Sequence, residues 1–173
     1  MGGSLGARSM NEAVQSILTQ RPTSEDRGYK LLWQCGDRFE RQCQDWLRAH
    51  PCEGVHCTGF IDRMDYAYQA STLIASRAGA MSIAELALVG KPAILVPSPH
   101  VAEDHQTHNA KSLTELGGGL LLPDCDVQEH LGKAICDLLR DEARCLGMSQ
   151  AMKQAARPQA AATVVNELER LLL

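Results

Sequence analysis

The sequence predicts an α/β domain: a Rossmann-like parallel sheet flanked by helices, with its first strand apparently missing. Three observations carry this. Short apolar runs alternate with longer stretches of helical character, as in chains that wind strand and helix in turn. The runs are continuously apolar, as strands covered on both faces require. Small-residue turns lead into helices at two places, Gly2-Gly3-Ser4-Leu5-Gly6 and Arg77-Ala78-Gly79. A length of 173 residues suits about one domain.

In chain order, the first glycine-rich turn opens a helix predicted from Ala7 to Leu18. A turn of this kind normally follows a strand, and in a doubly wound sheet that strand is central. None precedes it, so residues 1–173 read as a fragment of a larger protein. Leu31 to Cys35, closed by Gly36, is the first visible strand, followed by a helix from Asp37 to Ala49. Val55 to Thr58, closed by Gly59, is the next, before a helix from Met64 to Gln69. Thr72 to Ser76 and Ala93 to Val96 are short buried-type runs bounded by turn residues, and each feeds a helix, Ser82 to Val89 and Asp104 to Leu116. Leu120 to Leu122 makes a fifth strand. Two or three helices fill the chain from Val127 onward; the last, Ala160 to Leu173, ends apolar and is expected to pack on another surface.

Composition narrows the function classes. With 22% charged and 45% hydrophobic residues the chain is globular in type. A net charge of −4 offers no basic track for phosphates, so no nucleic-acid partner is expected. No apolar run approaches the roughly 20 residues of a membrane span, and no basic, apolar and cleavage-site succession marks a secretory signal. The expected location is cytoplasmic. Seven cysteines without any CxxC pair read as reduced thiols. The stretch from His50 to Cys57 lacks the paired ligands of a closed zinc site. His100, His105 and His108 read as solvated loop histidines, and no metal site is expected.

Three segments carry candidate chemistry. Helix N-termini present free amides and the positive end of a dipole to anions. The Gly2-Gly3 turn and the stretch from Gly79 through Ala80, Met81 and Ser82 both suit a phosphate, although glycine pairs also open helices that bind nothing. Glu85 has two readings. Ser82-x-x-Glu85 fits a capping box, while a carboxylate near the carboxyl end of a strand accepts hydrogen bonds from both hydroxyls of a ribose. Gln106 and Asn109 carry amides that donate and accept, which suits sugar hydroxyls. The alternative is a helix capped by Asp104 with these side chains in solvent.

Five segments in register then resemble one family: Gly2 to Arg8 with Asn11, Thr58 to Met64, Ser76 to Leu86, Gly90 to Pro97, and Asp104 to Ala110. They resemble the C-terminal half of the MurG family of N-acetylglucosaminyltransferases, glycosyltransferase family 28 with the GT-B fold. The resemblance implies that 1–173 is a nucleotide-sugar donor-binding domain, separate from an N-terminal acceptor domain. It implies that Gly3 and Ser4 contact the donor diphosphate and that Ile61 lies beside the uracil. Ala80, Met81 and Ser82 would meet the diphosphate and Glu85 the ribose diol. Gln106, supported by Asn109, would bind the N-acetylglucosamine hydroxyls.

The implied reaction is inverting transfer of N-acetylglucosamine from UDP-N-acetylglucosamine to a lipid-linked muramyl-pentapeptide, lipid I to lipid II, in peptidoglycan synthesis. No cofactor or metal is implied. The acceptor and a peripheral attachment to the inner face of the cell membrane would belong to the N-terminal domain. Within 1–173 no catalytic base is nominated, so the fragment alone is expected to be inactive. Where some members carry two glutamines this chain has Gln106-Thr107, which affects one sugar contact. Two other readings are another GT-B transferase domain or subunit using a UDP-sugar, and a non-catalytic nucleotide-binding module.

Overall fold

The computed structural model describes residues 6–99 and 104–172. Among the described residues five short strands form two parallel groups. β1 (Leu31–Gln34) pairs with β2 (Val55–Thr58), while β3 (Ile74–Ser76), β4 (Ala93–Leu95) and β5 (Gly119–Leu121) pair in that order. Leu31 stands opposite Val55, Ile74 opposite Ala93 and Ala93 opposite Gly119. All pairings are parallel, so each connection between paired strands is a crossover, and each runs through a helix. The helices are α1 (Arg8–Gln20), α2 (Ser24–Arg27), α3 (Glu40–Ala49), α4 (Met64–Ala70), α5 (Ala80–Val89), α6 (His105–Thr114), α7 (Val127–Arg140), α8 (Glu142–Ala155) and α9 (Ala160–Leu172).

β4 shows why the strand runs are continuously apolar. Ala93, Ile94, Leu95 and Val96 are all fully buried. Ile94 and Val96 join a core with Met10 and Ala13 of α1 and Leu131 and Leu138 of α7. Ala93 and Leu95 point the other way, onto Leu86 of α5, Leu113 of α6 and Met152 of α8. Side chains alternate across a strand, so a strand covered on both faces has no polar position to spare. A third core joins Trp33 and Cys35 to Leu18 of α1 and Cys43 of α3. Buried Asn11 ties α1 to β1 with both ends of its amide: Nδ2 donates to the Cys35 carbonyl at 3.0 Å, and Oδ1 accepts from Trp33 Nε1 at 2.9 Å.

The five strands occur where the sequence places them: β2 has its predicted ends, β1 and β4 end one residue early, β3 starts two residues late, and β5 is displaced by one residue toward Gly119. Three differences have physical causes. The predicted helix from Asp37 opens as a 3₁₀ turn, Asp37–Phe39, before α3. The single turn α2 is an addition, capped by the Thr23 hydroxyl, which accepts from the Asp26 amide, and by Gly28 at φ 76°. α9 buries none of its described residues; Val164, Val165, Leu168, Leu171 and Leu172 are exposed. Its amphipathic pattern made the helix, but no surface among the described residues covers it.

Candidate functional site

The loops that leave the carboxyl ends of the strands converge on the start of α1. Cys35, just past β1, accepts from Asn11. Arg77, just past β3, donates to Ser9 Oγ at 3.0 Å and pairs with Asp124, which lies past β5 and also accepts from Ser9 at 2.6 Å. Arg77 also donates to the carbonyls of Val96 and Pro97, past β4, at 3.2 and 3.1 Å. With side chains only 14% and 19% exposed, the Arg77–Asp124 pair is a charged pin under this edge. In open α/β sheets, the crevice outside the carboxyl ends is where ligands bind.

Gly6 holds the entry to α1 at φ 74°. A Cβ there would lie 2.3 Å from the Cys35 carbonyl oxygen and 2.7 Å from the Phe39 ring. Only glycine has both the conformation and the room. Gly3 and Ser4, earlier in the same turn, lie outside the described residues.

α5 begins at Ala80, two residues before its predicted start, with Gly79 as its N-cap. This decides the first reading of Glu85. Ser82 stands inside the helix instead of at the cap, and no side chain caps α5. No acidic residue lies in its first turn, so the positive end of the dipole is unopposed by side chains of its own turn. Nothing lies within 4 Å of the position a Gly79 Cβ would take. Ala80 and Met81 are exposed and Ser82 is half-buried.

Glu85, exposed on α5, accepts instead from the Tyr68 hydroxyl at 2.7 Å. Tyr68 is 7% exposed on α4. Burial first, then the hydrogen bond and charge of Glu85, push its phenol well above the ordinary value, so it remains a donor. One carboxylate oxygen is thereby held, and lone pairs remain for another ligand.

α6 contributes the remaining candidates. Gln106 Oε1 accepts from the Ser98 amide at 2.9 Å, so the function this contact does not use is its amide NH₂, a donor. Asn109 Nδ2 donates to the Ala78 carbonyl at 3.1 Å, binding α6 to the loop that opens α5. Asp104, at the start of α6, takes φ 52°, the left-handed region that Asp tolerates better than most residues. Ile61 is half-buried after β2 and lines, with Tyr68, the cavity between β1 and β3.

The structure thus joins Glu85 to α4 and Asn109 to the loop before α5, and fixes Gln106 on the loop after β4. Sequence reasoning missed Tyr68 and Arg77 as members of this network. Arg77 lay inside a quoted motif without a role, and an arginine so near a buried strand was the available signal. Nothing in the sequence separates Tyr68 from neighbouring Tyr66. Among the described residues no three His, Cys, Asp or Glu side chains are placed to hold a metal ion. His50 stacks on Trp46 with ring centroids 4.6 Å apart, and Cys57 packs in the third core.

Comparison with known proteins identifies the family. The glycosyltransferase family 28 C-terminal domain matches residues 1–164. The UDP-N-acetylglucosamine–N-acetylmuramyl-(pentapeptide) pyrophosphoryl-undecaprenol N-acetylglucosamine transferase of Porphyromonas gingivalis W83 is 42% identical over 172 residues, 99% of this chain and 45% of its own length. The Salinibacter ruber protein of the same name is 39% identical over 97% of this chain and 44% of its own. The crystal structure of Acinetobacter baumannii MurG superposes with a TM-score of 0.83 at 29% identity, covering 98% of this chain and 48% of that one. A putative UDP-N-acetylglucosamine 2-epimerase from Listeria monocytogenes shares the fold, with a TM-score of 0.64 at 20% identity. The chain spans less than half the length of these relatives, and it belongs to glycosyltransferase family 28, whose C-terminal domain it matches.

Proposed function

We propose that this domain binds UDP-N-acetylglucosamine as the donor half of an inverting N-acetylglucosaminyltransferase. That enzyme glycosylates undecaprenyl-pyrophosphoryl-N-acetylmuramyl-pentapeptide in peptidoglycan synthesis. The names of the relatives support the reaction. The observation that carries the donor site is the start of α5: uncapped by any side chain, with Glu85 turned to Tyr68 instead of back onto the helix terminus. The amides of Ala80, Met81 and Ser82 meet the diphosphate, together with Gly3 and Ser4 before α1. Glu85 accepts from the ribose diol. The Gln106 NH₂ donates to the sugar, and Asn109 holds α6 against the Ala78 loop. Ile61 flanks the uracil.

In this reading the departing β-phosphate gains charge as the glycosidic bond breaks, and amides already aimed at that position stabilise it without reorganising. The domain needs no metal for donor binding. The acceptor, the base that deprotonates its hydroxyl and a peripheral contact with the cytoplasmic face of the membrane belong to the part of the relatives' length that this chain does not span.

The test is calorimetric titration of the purified chain with UDP-N-acetylglucosamine, UDP-glucose and GDP. The expected order is tightest for UDP-N-acetylglucosamine, weaker for UDP-glucose and no binding for GDP. Equal affinity for the two UDP-sugars would favour another UDP-sugar transferase, and a preference for GDP would overturn the base assignment.

A further inference from the structure

Arg77 makes more contacts than an ion pair requires. Its guanidinium donates to Asp124 Oδ1, to Ser9 Oγ and to the carbonyls of Val96 and Pro97. The Ser9 hydroxyl accepts from Arg77 at 3.0 Å and donates to the same Asp124 oxygen at 2.6 Å, so the three side chains close a ring. We propose that Ser9 and Asp124 are positioning residues for the donor diphosphate. Through Arg77 they hold the first turn of α1 at a fixed spacing from the start of α5. These are the two helix starts that meet the diphosphate in the donor-binding reading above, on which this assignment rests.

Geometry, more than stability, is what such a ring supplies. The Arg77 and Asp124 side chains are largely buried, and a pair this far from water regains in mutual attraction roughly the hydration it lost. The guanidinium, however, is a planar fork whose donors point in fixed directions. Here those directions lead to the loops after β4 and β5 and to the first turn of α1. A shift of any one of these segments opens hydrogen bonds to the others.

The ring reaches both helix starts by short paths. Arg77 stands just before Ala78 and the α5 N-cap, Gly79. The backbone between them is held as well: Ser76 Oγ donates to the Arg77 carbonyl at 2.9 Å, and Asn109 Nδ2 to the Ala78 carbonyl at 3.1 Å. On the other side Ser9 lies in the first turn of α1, where Ala7 and Met10 enter the core and Ser9 turns to Arg77. Neither helix carries an acidic residue in its own first turn, so each keeps its positive end for an anion. A diphosphate that bridges the two is bound well only when their separation is set beforehand. The charge of Arg77 is answered by Asp124, which leaves the anion to the amides.

The test is an NMR titration of the 173-residue chain and its variants with UDP and with uridine, which shares the base and ribose but carries no phosphate. Ser9→Ala is expected to weaken UDP binding by about tenfold while uridine stays within about twofold, since the charge-assisted bonds to phosphate are the ones misplaced. Ser9→Thr, which keeps the hydroxyl, retains the parent's UDP affinity. Asp124→Asn, which weakens both bonds to that oxygen, shifts UDP in the same direction as Ser9→Ala. Equal losses for UDP and uridine, or no loss, overturn the positioning role. Tighter UDP binding in Ser9→Ala or Asp124→Asn also overturns it, because Arg77 would then be a phosphate ligand that the ring restrains. A parent chain that binds UDP no better than uridine refutes the donor-binding reading and this assignment with it. Where the parent prefers UDP and Ser9→Ala keeps that preference, the ring's role falls and the donor-binding reading stands.

Discussion

Replacing Tyr68 by Phe removes one oxygen and leaves the ring in its core. The lost contact is a 2.7 Å hydrogen bond from a buried phenol to an exposed carboxylate. Hydrogen bonds to charged groups contribute about 1.5–3 kcal/mol, but Glu85 regains water on one side, so the net stability loss is expected near 1 kcal/mol. For a chain of this size that lowers Tm by roughly 2–4 °C. The larger consequence is for the ligand. Freed from Tyr68, Glu85 recovers rotamer freedom of which about 1 kcal/mol must be surrendered again on binding a ribose, a factor of roughly five in Kd. Calorimetry with UDP, at a temperature where both proteins are fully folded, reads this directly. If Tyr68→Phe tightens UDP binding, Tyr68 competes for the carboxylate instead of positioning it; unchanged affinity would separate Glu85 from the ribose. A pH series adds an independent check. The folded phenol's pKa is raised above 10.0 by burial and Glu85. Its contribution to stability is therefore complete below about pH 10 and declines above it, toward the raised value, and the Phe variant should lack that decline.

Glu85→Ala is expected to abolish most of the thermal protection that UDP-N-acetylglucosamine confers while lowering the unliganded Tm by no less than the roughly 2–4 °C of Tyr68→Phe, because it removes the same hydrogen bond and leaves the buried Tyr68 hydroxyl without its acceptor; differential scanning fluorimetry with and without ligand decides it. Gly6→Ala combines a left-handed φ with a clash against backbone, so a loss of about 3 kcal/mol or more is expected in urea unfolding. Donor affinity should be equal in EDTA and in magnesium, and binding lost in chelator would overturn the metal-free account. In native protein Ellman's reagent should reach exposed Cys125 first, with a rate that keeps rising past pH 9.0 because Asp126 raises that thiol. Cys35, pushed up to about 11 mainly by burial, and Cys43, buried beside it, should react only on unfolding; mass spectrometry of quenched samples checks the order.

The strands were legible because burial on both faces leaves a recognisable run: Ala93 to Val96 is apolar at every position and buried at every position. Glycine at position 6 was legible for the same kind of reason, since a left-handed turn against a backbone carbonyl admits no other residue. Glu85 was not. Its spacing from Ser82 fits a capping box, and whether the box forms depends on where the helix starts, which sequence fixes only to within a few residues. α5 starts at Ala80, and that shift of two residues turns a cap into a side chain available to Tyr68. Local pattern likewise predicted the amphipathic α9 but not whether anything in the chain would cover it.

Local sequence by itself determined the element order, the parallel α/β class and the motif-bearing turns, because each depends on residues adjacent in the chain. Tertiary structure alone decided which of those turns meet. The Arg77–Asp124 pin and the Tyr68–Glu85 contact join residues 47 and 17 positions apart. Such contacts leave no periodic trace, since the partners are brought together by packing of whole strands and helices.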